Sequence, residues 1–345
     1  MTRISEHKVL YTALLTLALI IADFVVTSDV VLVAQDVNTS IRLIRELDSE
    51  DVGVADPLGL AYSPGANVFY MLAPPSAHLP SAGNETIIRL TSLGKHAGSV
   101  QIPAMPEDPI NMVFDSRFNR LLLLNGSGDT LIEVKENPDG ELDLESVRRH
   151  DVGRFSLGST RGIAIAPTSG HVFILDGVAA RLVRVVPAPD GSISQAEMSE
   201  VDLSAAGLDD PAGLALDPAT GHLHVMSVGD RQLYELTQMG QVVAARALPD
   251  YELGRPTGMV FAPSADTTDD PAQMHLYVAL GGPNAEEGRG RTALEHNLLS
   301  NMQDAADSAE GGLPRRTGTV VELALEDPVQ TIRGSATLAS AQLIK

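Results

Sequence analysis

The chain has 345 residues, of which 44% are apolar and 20% are charged, together with 30 Gly and 21 Pro. This composition is typical of a packed globular protein with many turns and excludes a wholly disordered chain. Acidic residues outnumber basic ones by 45 to 24, and because the resulting net charge of −21 repels phosphate backbones, we expect no nucleic-acid partner. The absence of Cys excludes disulfides, thiolate metal sites and a Cys nucleophile.

The first 34 residues predict export. Arg3, His7 and Lys8 precede an apolar stretch over 9–22, the arrangement of a secretory signal, and we expect this stretch to be helical. If the segment is cleaved, a small-residue site ends at Ala34. If it is retained, residues 9–26 are just long enough to cross the ~30 Å hydrocarbon layer, with the basic flank in the cytoplasm. Residues 1–34 are therefore predicted to be a signal peptide or a membrane anchor, and 35–345 to be an extracytoplasmic domain: periplasmic, secreted or on the cell surface.

A repeat of about fifty residues runs through this domain. Similar segments begin at Pro57, Pro109, Thr160, Pro211 and Pro256, with spacings of 52, 51, 51 and 45 residues. Each is followed by an apolar run, and in the middle units by a segment that alternates with period two and by a more polar fourth segment. Four short antiparallel strands in each unit predict the blades of an all-β propeller around a central channel.

The number of blades depends on how the two ends of the chain close the ring. Residues 41–48 align with 242–249, the last strand of a unit, which predicts that the N-terminal part adds an outer strand to the blade made by the C-terminal residues. Five blades result if 320–333 ends the last unit. Six result if 30–34 and 335–343 also form strands, and six is the number that we favour.

One insertion, over 281–317, interrupts the last unit. It predicts a helix over 292–309 that places Leu294, Leu298 and Met302 on one side. Either this apolar side packs on the propeller itself, or the helix is a lid or docking element, because long loops in compact domains are often functional. In the second case these three residues are the predicted partner-binding residues.

Acidic residues stand before the aligned proline in three units. Asp56, Asp108 and Asp210 occupy this position, whereas Ser159 and Arg255 occupy it in the other two units. If these positions surround one mouth of the channel, the three carboxylates could bind Ca²⁺ through oxygen ligands, with Asn111 as a nearby amide. The alternative is ordinary Asp-Pro turn chemistry without a metal.

Histidine begins the second strand in three successive units, at His171, His222 and His275. Equivalent positions on neighbouring blades diverge, so we expect surface positions rather than a shared metal site with bonds near ~2.0–2.1 Å. The sequence contains no nucleophile elbow, no H-E-x-x-H motif and no phosphate-binding loop. We therefore predict no catalytic residue and no organic cofactor.

The fourth unit is clearest in the runs DPAGLALDP (210–218), GHLHV (221–225) and LYEL (233–236). These runs resemble NHL-type repeats of six-bladed propellers, and also the broader group that holds SMP-30/gluconolactonase-like and esterase-like phytase propellers. The likeness extends over about 56–326. A resemblance to NHL propellers implies binding of a protein or a small ligand. A resemblance to the lactonase-like enzymes implies a Ca²⁺ site of Glu, Asn and Asp residues at the channel mouth.

Two functions follow as expectations. The first is an exported, acidic propeller that serves as a binding or scaffold module, as part of a membrane-associated or cell-surface assembly, and that contacts the membrane through its N-terminal segment if this is not cleaved. The second is a Ca²⁺-dependent hydrolase, acting on a lactone or a phosphoester at the channel mouth. A hydrolase needs converging carboxylates and a metal, whereas a scaffold needs an exposed apolar or charged surface.

Overall fold

Each strand that the structure describes belongs to one of five antiparallel sheets of four strands. The computed structural model describes residues 41–48, 54, 56–74, 86–103, 109–193, 196–208, 210–248, 255–266, 268–270, 272–281 and 318–325. All of them fall in one compact unit, Thr39–Asp327. Both predicted helices, the N-terminal one and the one in the insertion, lie outside the described residues. No helix within the described ranges is long and apolar enough to cross a membrane.

The five sheets are consecutive units of the repeat, and we number them as blades. The first strand of the chain is β1 (Ile41–Asp48), which belongs to the last blade. Blade 1 contains β2 (Gly59–Ser63), β3 (Val68–Ala73), β4 (Thr86–Thr91) and β5 (His96–Val100). Blade 2 contains β6 (Pro109–Asp115), β7 (Arg120–Asn125), β8 (Thr130–Glu136) and β9 (Leu142–Asp151). Blade 3 contains β10 (Thr160–Ile165), β11 (Val172–Asp176), β12 (Arg181–Val186) and β13 (Glu197–Asp202).

The remaining two blades complete the ring. Blade 4 contains β14 (Pro211–Leu216), β15 (Leu223–Ser227), β16 (Gln232–Leu236) and β17 (Val242–Ala247). Blade 5 contains β18 (Pro256–Pro263), β19 (Met274–Leu280) and β20 (Thr319–Leu325), and its outer strand is β1. Two single 3-10 turns follow the outer strands of blades 2 and 3, at Gly153–Phe155 and Ser204–Ala206.

The structure has five blades, so the favoured number of six is wrong. The predicted outer strand is confirmed: β1 pairs antiparallel with β20, with Ile41 opposite Leu325 and Asp48 opposite Thr319. The innermost strands β18 and β2 contact each other directly, and the hydroxyl of Thr257 donates a hydrogen bond to the carbonyl of Pro57 at 2.7 Å. Because the first and last blades already meet at the axis, no space is left for a sixth blade between them.

The core lies between neighbouring blades, where inner strands pack large side chains mostly against alanine of the preceding blade. Leu60 and Tyr62 of β2 pack with Ala262 of β18. Alanine of the preceding inner strand also packs at three other blade contacts, at Ala61, Ala164 and Ala215. These apolar side chains are almost fully buried, which makes the contacts between blades the main source of stability.

The third residue of the aligned segments is glycine in four blades, and in two of these blades the neighbouring inner strand approaches too closely for any side chain. A Cβ atom at Gly162 would lie 2.6 Å from the backbone nitrogen of Leu214, and one at Gly258 would lie 2.3 Å from that of Leu60. Blade 2 has Asn111 at this position, where it is buried with 4% of its surface exposed. The glycine pattern in the sequence therefore reports blade packing rather than ligand binding.

Candidate functional site

The predicted site is the channel mouth, the end of the ring at which all five inner strands begin. The residues before these strands include Asp56, Ser159, Asp210 and Arg255, whereas Asp108 lies outside the described residues. The rim therefore carries both signs of charge.

The structure brings Asp210 into contact with a cation of the next blade. One carboxylate oxygen of Asp210 accepts a hydrogen bond from Arg255 at 2.8 Å, and Asp210 adopts a left-handed conformation with φ of 50°. Its backbone carbonyl accepts the N–H of Val228, at the end of the second strand of its own blade. A metal ion at this carboxylate would have to lie beside the guanidinium of Arg255 or displace it.

No group of three His, Asp or Glu side chains in the described part of the chain is arranged to hold a metal ion. Asp56 is described and partly exposed, and it makes an interaction of its own. Because Asp108 lies outside the described residues, the Ca²⁺ site of Asp56, Asp108 and Asp210 stays a prediction. The positive charge of Arg255 beside Asp210 disfavours a cation at this carboxylate.

A buried carboxylate anchors the mouth at blade 3. Asp176 ends β11 and is almost fully buried, and its oxygens accept backbone N–H groups of Gly158, Ser159 and Val178 at 3.0–3.3 Å. Burial opposes ionisation, but the backbone N–H groups of the two loops outweigh it and hold the pKa of Asp176 below its ordinary value. An ion pair with Arg181 adds to this effect. Asp176 therefore fixes the loops around the mouth, a role that the sequence signals only through a polar residue at the end of an apolar strand.

In blade 2 the residue equivalent to Asp176 is Asn125, whose amide also binds the backbone of a neighbouring turn. The side-chain oxygen of Asn125 accepts the backbone N–H groups of Asp129 and Thr130, and its amide nitrogen donates to Ser127 and Asp129. Residues 125–127 read Asn-Gly-Ser, the pattern of a glycosylation acceptor, but Asn125 is only 6% exposed and is a buried turn residue. Both anchors support the loops from inside the blade.

The three histidines form contacts inside their blades, at the opposite end from the mouth. Nδ1 of His222 lies 2.7 Å from a carboxylate oxygen of Glu235, and Nδ1 of His275 lies 2.8 Å from one of Glu322. In blade 2, Arg120 occupies the equivalent position and bonds Glu133 at 3.0 Å. We call each pair, between the start of the second strand and the middle of the third, a clasp.

The clasp of blade 5 also secures the closure of the ring. His275 and Glu322 are both 1% exposed, which contradicts the expected surface position of His275. Nε of Arg45, on β1, lies 3.3 Å from the second oxygen of Glu322, and the N–H of Ala265 donates to the first oxygen. Since β1 is far from β20 along the chain, this clasp joins the two ends of the propeller.

Exposed apolar side chains mark the outer hairpin of blade 4. Met239 lies in the turn between β16 and β17, and Val242 and Val243 begin β17; they are 66%, 46% and 48% exposed. Ala245 and Ala247 of the same strand are also exposed, whereas Arg246 is buried and pairs with Glu235 at 2.7 Å. By contrast, the outer strands of blades 2, 3 and 5 present exposed charges such as Glu145, Glu197 and Arg42. The predicted partner-binding residues Leu294, Leu298 and Met302 lie outside the described residues.

The chain has distant structural likenesses to known proteins. No protein-family model matches the chain, and no curated protein matches it. Among solved structures it is similar to a luciferin-regenerating enzyme (13% identity, 83% of this chain and 95% of that chain, TM-score 0.46). It is also similar to virginiamycin B lyase from Staphylococcus aureus (14% identity, 69% and 82%, TM-score 0.38) and to a gluconolactonase from Xanthomonas campestris (18% identity, 67% and 72%, TM-score 0.40). With TM-scores below 0.5 these likenesses carry no argument about the chain, and its propeller fold rests on the five sheets of its own structure.

Proposed function

We propose that this chain is an extracytoplasmic β-propeller that binds a protein partner and serves as a scaffold in a membrane-associated or cell-surface assembly. The observation that carries this proposal is the apolar surface of Met239, Val242 and Val243. An outer strand that exposes apolar side chains and no charge lacks the features that keep sheet edges from associating, and it suits burial against another protein. We take this hairpin as the contact surface.

Crosslinking in the native cell tests the contact surface. A photo-reactive amino acid at Val243 should give a specific adduct with one partner protein. The same group at Leu144, an exposed apolar residue on the outer strand of blade 2, is the control. The adduct should disappear when Met239→Gln and Val242→Thr are introduced together, because these changes keep the strand but remove apolar surface. Identical adducts from both positions would overturn the proposal.

Export rests on residues 1–34 alone, and we propose that they carry the domain out of the cytoplasm. A reporter enzyme that folds only outside the cytoplasm, fused after Lys345, should be active with these residues and inactive without them. Fractionation of the exported protein then separates a cleaved signal from a retained membrane anchor. Activity of the reporter without residues 1–34 would contradict export by this segment.

The competing function is a Ca²⁺-dependent hydrolase at the channel mouth. It would use Asp56, Asp108 and Asp210, with Arg255 displaced from Asp210. Calorimetry with Ca²⁺ on the wild type and on an Asp108→Asn/Asp210→Asn double variant separates the two functions. Micromolar binding that the variant abolishes would favour the hydrolase and justify a screen of lactones and phosphoesters. Absence of heat would favour a metal-free binding module.

A further inference from the structure

Blade 3 departs from the clasp pattern of its neighbours. In blades 2, 4 and 5 the third strand supplies a glutamate that accepts a bond from a basic side chain. In blade 3 the equivalent residue is Arg184, and its guanidinium meets Nδ1 of His171 at 3.0 Å. Two basic side chains therefore meet at the position where each of the other clasps joins a basic and an acidic side chain.

A third basic side chain reaches this position from blade 2. Arg117 lies in the turn between β6 and β7, and it donates a hydrogen bond to the carbonyl of Ser169 at 2.6 Å. Gly170, with φ of 74°, makes room for it, because a Cβ atom there would lie 2.0 Å from the Arg117 guanidinium. Arg117 thus crosses the blade boundary and lies beside His171.

Within the described ranges, neither Arg117 nor Arg184 is within ion-pair distance of a carboxylate. The carboxylate of Asp115 is occupied, since one oxygen accepts the backbone N–H of Arg117 and the other pairs with Arg120. Glu197 lies on the neighbouring strand β13, diagonally opposite Arg184 and on the same face of the sheet, but it does not form an ion pair with Arg184. In blade 1, by comparison, the third-strand Arg89 pairs with Glu141.

The electrostatics of the cluster follow from this geometry. Partial burial and the charges of Arg184 and Arg117 hold the pKa of His171 below its ordinary value, so the ring is neutral near pH 7. Nε of Arg184 is enclosed without a hydrogen-bond acceptor, which leaves a buried donor unsatisfied. A local excess of positive charge in a protein of net charge −21 is therefore left without an internal counter-ion.

We propose that Arg117, His171 and Arg184 form a binding site for a small oxyanion, a phosphate or carboxylate group, on the face of the propeller opposite the channel mouth. The anion supplies the negative charge that glutamate supplies in the other clasps. Planar guanidinium groups donate paired hydrogen bonds that match these oxyanions. Because Nδ1 of His171 accepts from Arg184, the neutral ring carries its proton on Nε2, and the charge of a bound anion raises the pKa of the ring. The site lies on blades 2 and 3, so it is independent of the partner surface on blade 4.

The test follows His171 by NMR in the full chain, with its nine histidines labelled in the ring. Inorganic phosphate and acetate are titrated at constant ionic strength, with chloride as the reference. Phosphate or acetate should shift the His171 signal saturably and raise its pKa, and the more effective of the two identifies the preferred group. Equal shifts with chloride would overturn the proposal.

Variants separate the site from general charge effects. Arg184→Gln and, separately, Arg117→Gln should weaken anion binding by at least about tenfold, because each removes one guanidinium. Arg148→Gln removes an exposed positive charge on the outer strand of blade 2 and should leave binding unchanged. Arg117 is exposed, so its variant is expected to fold even if the Arg184 variant does not. Unchanged anion binding in Arg117→Gln would refute the site.

Discussion

Replacing Gly258 by Ala should destabilise the propeller where its first and last blades meet. The new Cβ atom would lie 2.3 Å from the backbone nitrogen of Leu60 and 2.9 Å from two backbone atoms of Gly59. These are main-chain atoms of the neighbouring inner strand, so no side chain can rotate away and the two strands must separate. Overpacking of this kind costs about 1–3 kcal/mol of the free energy of unfolding, partly offset by about 0.4–1 kcal/mol from the stiffer unfolded chain.

The matched control is Gly59→Ala, at the same position of the repeat in blade 1. There the nearest atom to the new Cβ is the backbone nitrogen of Met112 at 3.4 Å, which is close to ordinary contact. We expect this variant to be clearly more stable than Gly258→Ala, because the new contact is nearly ordinary and the stiffer unfolded chain contributes about 0.4–1 kcal/mol in its favour. Urea unfolding followed by circular dichroism measures both variants. Equal stability of the two, or a Gly258→Ala variant as stable as the wild type, would refute the inference that inner-strand contact closes the ring.

Buried titratable side chains should control stability at three further positions. Glu322→Ala leaves Arg45 and His275 without their partner and should cost about 3–5 kcal/mol in urea unfolding, whereas the exposed Glu141→Ala should change stability little. Burial lowers the pKa of His224 from 6.5 to about 4. Between these two pH values the unfolded chain binds a proton that the folded chain does not, so the free energy of unfolding should fall by up to about 3 kcal/mol as the pH is lowered from 6.5 to about 4. Urea unfolding at several pH values should show this fall in the wild type and not in His224→Leu. The pKa of Asp176 is lowered, so the ionised carboxylate should stabilise the fold above the ordinary Asp pKa, and this stabilisation should be lost in stronger acid. An Asp176→Asn variant with the same free energy of unfolding as the wild type at neutral pH would contradict this.

The repeat made most of the architecture predictable. Each apolar run after an aligned start became a second strand, and the alignment of Ile41–Asp48 with the outer strand of blade 4 correctly placed β1 in blade 5. Gly140 and Gly191 each follow an aspartate in a hairpin turn and have φ of 78° and 83°, a conformation that is typical of Asp-Gly turns. The blade number was wrong because closure depends on contact between β18 and β2, which are distant along the chain.

The site was less predictable because its partners are also distant in sequence. The position of Asp210 before a proline suggested a ring of carboxylates, but a one-dimensional pattern does not show that Arg255 of the next blade reaches it. Similarly, the repeat predicted a surface position for His275, whereas in the structure this histidine is buried against Glu322, which also pairs with Arg45. Periodicity predicts which residues of different blades are equivalent. It does not predict which residue on another strand or blade neutralises the charge of each one.

Equivalence between blades also tells structural residues from functional candidates. Histidine at the start of the second strand is explained in blades 4 and 5 by a glutamate on the third strand, so its recurrence reflects a shared clasp. The same histidine in blade 3 faces Arg184, and the reason that explains the others does not apply. The stability of the blade does not explain why Arg117 and Arg184 lie beside His171 without a carboxylate partner in the described ranges. We therefore expect function to reside where the repeat departs from its own pattern, and the Arg117–His171–Arg184 cluster is the clearest such departure in the described part of the ring.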